Sequence, residues 1–365
     1  MSLLVAQGWV INALLRFPEY HGLLVRHEPA AMALGDSALL GALYARRCWS
    51  EWSFGDFERA VETAGRAVDY CMAAGNLDDA AQAYCHWQWS HLCRGEYDDV
   101  LALEAQALRL LEQRFNARWY LFTVTGAALA HTWRGAWAAA VEETEKALRL
   151  GTESADDGIL CFAAFVLSHA YTAQGDLERG LRYGALAVEK APTPGEKMWS
   201  QSFLAWAYCR SGRPSEGIAL LEPAVALQRA GRFIWSEVSA LCLGEAYWLA
   251  RDRERAVHTL EEVLEIAGRC GMRFLVGSAH RLLGEIAMDT WAEAAAGHFE
   301  TSIARLEAIK AENELARACA GYGRWHARAG RTTVAREYLT RALTIFERLG
   351  TLREPERVRA DLARS

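Results

Sequence analysis

A glycine recurs along this chain at a near-constant interval: Gly55, Gly95, Gly135, Gly175 and Gly212, with Arg251 and Gly330 in the same slot further on. The steps are 40, 40, 40, 37 and 39 residues, then 79 for two units. Self-similarity at such a period marks a repeat architecture, in which each unit buries its apolar face only against its neighbours. Five residues past the slot stand Ala60, Val100, Ala140, Gly180, Gly217, Ala256 and Ala335. Twelve past it stand Ala67, Ala107, Ala147, Ala187, Ala224, Val263 and Ala342. Small residues seven apart share one helix face and let a second helix approach closely. Counting back from Gly55 puts Leu15 in the first turn, with Gly8 and Gly35 in phase. Between Arg251 and Gly330 a turn near Trp291, around Asp289 to Ala292, serves the eighth unit.

Each unit reads as helix A, a short turn and helix B, which often stops at a glycine about twenty past the slot: Gly35, Gly75, Gly231, Gly271, Gly350. The period-2 alternation of strands is absent. The connector Ala191-Pro192-Thr193-Pro194-Gly195 belongs to the 37-residue unit, and Pro223 inside a B helix predicts a kink. The expected fold is all-α, a right-handed superhelical solenoid of about nine two-helix units covering roughly one turn. Residues 1–365 form a single repeat domain in this reading, and the charged segment 351–365 ends it as a capping helix.

Composition narrows the function. No apolar run approaches the ~20 residues of a membrane helix, and the opening Met1-Ser2-Leu3-Leu4 has no basic region of a signal peptide. A cytoplasmic protein without membrane contact is expected. Nine cysteines with no C-x-x-C pair read as small core residues, at home in a reducing compartment. A net charge of -6 gives no general attraction to phosphate backbones, so nucleic acid is not the expected partner. No phosphate loop, nucleophile elbow or H-E-x-x-H occurs. His91, His131 and His326 fall four before the slot, where other units carry Tyr171, Tyr208 and Tyr247, which is the pattern of packed core residues. No catalytic residue, metal or cofactor is expected.

Tryptophan placement carries more. Positions eight, seven, four and eleven before the slot span the arc of helix A that packs, and thirteen, ten, six, three and two before it span the opposite arc. Six before the slot stand Trp9, Trp49 and Trp89 in successive units, later Trp206. Three before it stand Trp52 and Trp248, and two before it Trp133. The same column then turns into Glu245 and Glu285, with Arg281 nearby. Large rings on the arc away from the core are typical of recognition surfaces, and a change from aromatic to charged predicts an oriented ligand. The competing expectation is that the rings pack on one another and close the space.

The order Leu243-Gly244-x-x-Tyr247, followed in other units by Gly55-Asp56-Phe57-Glu58-Arg59-Ala60 and Ala67, is similar to the tetratricopeptide repeat. Arg281-Leu282-Leu283-Gly284-Glu285 and the closing Ala342-Leu343-Thr344-Ile345-Phe346-Glu347-Arg348-Leu349-Gly350 resemble the longer units in the C-terminal sensor region of bacterial signal-transduction ATPases. The resemblance implies that the tryptophan arc lines a concave groove and that the chain serves as an interaction or sensor module of a signalling regulator. Its expected partner is a peptide or protein segment, including another domain of its own full-length protein. An oligosaccharide-like small molecule stacked on the rings is the alternative, and self-association is a further use. The chain carries no ATP-binding loop, cyclase segment or helix-turn-helix, so it is read as a stand-alone adaptor or a piece of a larger regulator. The Lys and Asn pattern of chaperone-tail clamps is missing, which disfavours carboxylate capture of that type.

Overall fold

The computed structural model describes Gly8 and residues 16–288 and 292–365. The turn slots at Leu15 and Trp291, and Trp9, lie outside the described residues. Among these residues there are eighteen helices and no strand. The inner, A-type helices are α2 (Ser37–Ser53), α4 (Leu77–Arg94), α6 (Ala117–Arg134), α8 (Asp157–Gln174), α10 (Pro194–Arg210), α12 (Ser236–Leu249), α14 (Arg273–Ala287) and α16 (Glu312–Arg328). The B-type helices are α1 (Phe17–Leu34), α3 (Phe57–Ala73), α5 (Tyr97–Gln113), α7 (Trp137–Ser154), α9 (Leu177–Lys190), α11 (Pro214–Ala230), α13 (Arg253–Cys270), α15 (Ala292–Ala308) and α17 (Thr332–Leu349). A last helix, α18 (Glu354–Arg364), follows.

The recurrent slot is the A-to-B turn. Gly55 and Gly135 there adopt φ of 80° and 83°, and Arg251 holds the same left-handed geometry at 67°. The next residue often caps helix B: Asp56, Asp176 and Asp252 each accept a hydrogen bond from the amide three residues on, worth about 1 kcal/mol apiece. The small residues sit where the paired helices meet. Ala60, Ala140 and Ala187 are fully buried, and a methyl on Gly217 would stand 2.2 Å from Cys209 Sγ. Pro223 lies inside a continuous α11.

Successive turns of the superhelix touch. The amide of Ile234, at the end of unit six, donates to Ser53 O over 2.8 Å, and Leu352 N donates to Gln174 O over 2.8 Å. A methyl on Gly55 would meet Cys270 Sγ at 2.7 Å, one on Gly95 would meet Ile309 at 3.1 Å, and one on Gly135 would meet Leu349 at 2.7 Å. Arg273 pairs with Glu96 at 2.6 Å across the same seam. Units two, three and four therefore seat against units seven, eight and nine, and unit five against the segment after unit nine. One superhelical turn takes five units, so nine make almost two turns rather than the single turn expected. The period shows which units are equivalent but not the rotation between them.

Five units per turn is a tight coil. Inner helices of successive turns also meet, α4 with α14 and α6 with α16, and the main core extends through both turns.

Candidate functional site

The tryptophan column faces the axis as its helical angle requires, and there it meets other rings instead of an open groove. Trp52 and Trp89 are buried. Trp52 packs edge-on against Trp89 at 5.8 Å and against Phe233 at 5.7 Å. Trp89 meets Trp235 from the adjoining turn of the coil at 5.5 Å and donates its indole N–H to Phe122 O over 2.9 Å. Trp199 stacks on Phe233 at 5.6 Å. Trp49 is half-buried and stacks on His86 at 5.4 Å. The expected aromatic wall of a concave groove is thus a plug across the N-terminal half of the axis. The cause is the tight coil: with successive turns in contact and five units to a turn, rings that leave their own unit meet rings of another, as Trp89 meets Phe162 two units on at 6.2 Å, before they reach water.

Further along, the filling changes character. Trp133 stacks on Phe274 at 4.8 Å and donates to His169 Nε2 over 3.1 Å. Trp206 leans on His169 at 5.1 Å and donates to Glu245 Oε2 over 2.8 Å. Glu245 then opens an ionic cluster, with Arg317 at 2.9 Å, Arg210 at 3.2 Å and Arg281 at 3.9 Å. Arg281, only 2% exposed, binds Glu314 and reaches Glu285 at 3.1 Å. Arg317 reaches Glu314 at 3.1 Å. Burial opposes ionisation of Glu245, but the guanidinium groups of Arg317, Arg210 and Arg281 outweigh it and hold its carboxyl below the usual range. Removing one partner from such a set strands a buried charge and costs about 3–5 kcal/mol, although the intact set adds little net stability.

A cavity of about 70 Å³ sits at this transition, bounded by Trp133, His169, Trp206, Phe274, Ser278 and the ionic cluster. Beyond it lies an open hollow of about 440 Å³, the mouth, lined by Trp248, Leu249, Glu285 and Arg324 and by Glu354, Arg357, Asp361 and Arg364 of α18. Arg210, Glu245 and Arg317 border both spaces. Helix α18 forms the rim: Glu354 binds Arg210 at 2.8 Å, and Asp361 binds Arg324 at 3.3 Å. A wider hollow of about 710 Å³ beside Phe54, Phe233 and Ile234 lies at the seam, and its Arg229 is paired with Glu237 and Glu262.

Of the expected site residues, Trp133, Trp206, Glu245 and Arg281 come together at the cavity, and Trp248, Glu285 and Glu245 at the mouth. Trp49, Trp52 and Trp89 belong to the plug. Arg210, Glu314, Arg317 and Glu354 escaped the sequence reading. Arg317 stands thirteen before Gly330 and Arg210 two before Gly212, both on the axial arc, so the signal was present there. Glu354 lies past the last unit, where the repeat offers no register. His91, Glu96 and Asp99 lie close enough together to share a cation, but Glu96 is already held by Arg94 at 3.0 Å and Arg273 at 2.6 Å. All nine cysteines are free thiols. No helix among the described residues is long and apolar enough to cross a membrane.

The architecture is that of a tetratricopeptide-like superhelical repeat protein. A Rap protein complexed with Competence and Sporulation Factor superposes with a TM-score of 0.66 at 11% identity, covering 95% of this chain and 98% of that one. The human IFIT1 dimer with PPP-AAAA gives 0.50 at 14% identity, over 83% of this chain and 67% of that one. A signal-transduction ATPase with a tetratricopeptide repeat sensor from Pyrococcus horikoshii gives 0.47 at 14% identity, over 83% and 52%. No protein-family model and no curated protein matches the sequence. At these identities the likeness is one of fold.

Proposed function

We propose that the chain is a protein-interaction or sensor module that holds a peptide or protein segment at the C-terminal mouth of its axial interior. The observation that carries this reading is the open 440 Å³ hollow whose floor, Arg210, Glu245 and Arg317, also borders the inner cavity. The mouth offers the half-buried face of Trp248 beside charges of both signs, five arginines against four carboxylates. Such a surface suits a mixed-charge segment better than a run of phosphates, which needs a basic track. Rap complexed with a sporulation factor and IFIT1 with PPP-AAAA are superhelices of similar shape that take partners. The rings of Trp52 and Trp89 are buried against other rings and offer no platform on which a sugar could stack.

A random peptide library selected against the immobilised full chain tests this. Selected peptides should lose at least about tenfold in affinity on Arg324→Ala, a half-exposed ion-pair change that shifts stability by no more than about 1 kcal/mol, and on Trp248→Ala. Peptides indifferent to both changes, or a selection that yields no binder, would overturn the reading.

A further inference from the structure

We propose that His280 and His298, where the two helices of unit eight meet, form a two-histidine site for a late first-row transition ion such as Zn²⁺, Ni²⁺ or Cu²⁺. Neither residue lines the inner cavity or the mouth, so the site stands apart from the reading given for the mouth.

The helix pair brings the rings together. His280 stands on α14 and His298 on α15, and both side chains are half-buried. Their Nδ1 atoms lie 2.9 Å apart, with ring centroids at 5.2 Å and 40° between the planes. The rings thus meet tip to tip, and a single proton fits between the two nitrogens. Among the described residues neither ring has a second hydrogen bond, so nothing fixes which ring owns that proton. Each neutral ring can instead carry its proton on Nε2, toward water, which leaves two bare Nδ1 lone pairs facing one another. That arrangement is repulsive until a cation takes the place of the proton. His91 shows the contrast: its Nε2 accepts from Trp87 Nε1 at 3.1 Å and its Nδ1 bonds Glu96 at 2.7 Å, so both nitrogens are taken.

Distance and charge fit an ion. A metal at about 2.0–2.1 Å from two imidazole nitrogens holds them about 2.9 Å apart at a right angle and about 3.4 Å apart at the tetrahedral angle. The two nitrogens therefore separate by at most about half an ångström, while both rings tilt to one side to aim their lone pairs at the ion. Burial, then His298 and Arg305, pushes the His280 pKa down to about 4, and burial pushes that of His298 down as well. Both rings are neutral at pH 7, as metal ligands must be. Arg305 opposes an added cation beside His280. Glu261, exposed on α13 of unit seven, favours one beside His298 and completes the set as a carboxylate ligand, with water in the remaining positions. Two imidazoles and one carboxylate select zinc, nickel or copper over magnesium and calcium, which seek an all-oxygen shell.

The test titrates Zn²⁺ into the full chain, freed of metal and labelled with ¹⁵N-histidine. The Nδ1 resonances of His280 and His298 should shift together and saturate, and Tm should rise. His280→Gln and His298→Gln should each weaken Zn²⁺ by at least about tenfold, whereas His258→Gln, on the neighbouring α13, should leave it unchanged. Cu²⁺ should displace Zn²⁺ and Mg²⁺ should not. Zn²⁺ that shifts only other histidines, variants that bind it as tightly as wild type, or equal competition by Mg²⁺ would overturn the inference. The wild-type resonances decide the matter even where a Gln variant is too unstable to titrate.

Discussion

Trp89 and Trp248 come from the same arc of the repeat and meet opposite fates. Trp89 is enclosed by Trp52, Phe122 and Trp235, so Trp89→Ala should destabilise the fold by about 3–5 kcal/mol. Trp248, half-buried at the mouth, should cost well under half of that in a denaturant titration of its Ala variant, and equal losses would show that the axis is not filled as described. The helical angle legible in the sequence places both rings away from their own B helix. It carries no information about whether water or an opposing wall lies beyond, because that depends on rotation between units.

Glu104 is a second residue with a readable consequence. Burial first, then the neighbouring Glu143, pushes its carboxyl up to about 8, and Glu104 Oε1 and Glu143 Oε2 are both buried without a hydrogen-bond partner. The fold thus prefers the protonated acid. That preference is fully present below the unfolded value near 4.3 and is lost as pH rises through about 8. Glu104→Gln should therefore gain on wild type between pH 5 and pH 9, by up to about 4 kcal/mol. Parallel stability curves at the two pH values would contradict it.

At the scale of elements, turns and helix pairs follow from sequence because each is local. The glycine slot, the aspartate after it and the small residues at five and twelve all do in space what their spacing implies. Ala107→Leu and Ala140→Leu, at buried helix contacts, should each destabilise by about 1–3 kcal/mol in thermal melts. The seam between turns was not legible, since it joins residues some two hundred apart with no motif of their own. A pair of glycines isolates it. Gly135 and Gly330 share positive φ, 83° and 71°, but a methyl on Gly135 strikes Leu349 whereas one on Gly330 meets open space. Gly330→Ala should carry only the backbone cost of about 1 kcal/mol, and Gly135→Ala should exceed it by about 1 kcal/mol or more. Equal costs would mean that the turns do not stack.

The whole molecule differs from an open solenoid in which each unit touches only its neighbours. Its two turns share a seam and a filled axis, and an open hollow lies at the C-terminal end, where the ionic cluster and α18 meet. The change from aromatic to charged along the axis was readable from the column of tryptophans ending in Glu245 and Glu285. Its meaning shifted, from a graded groove to a plugged barrel with one polar end. Hydrogen exchange of the full chain with and without a peptide selected against it tests this account most directly. New protection should appear in α10, α12, α16 and α18 around the mouth, with α2 and α4 unchanged; protection centred on α2 and α4, with the mouth exchanging as before, would contradict a partner held at the mouth.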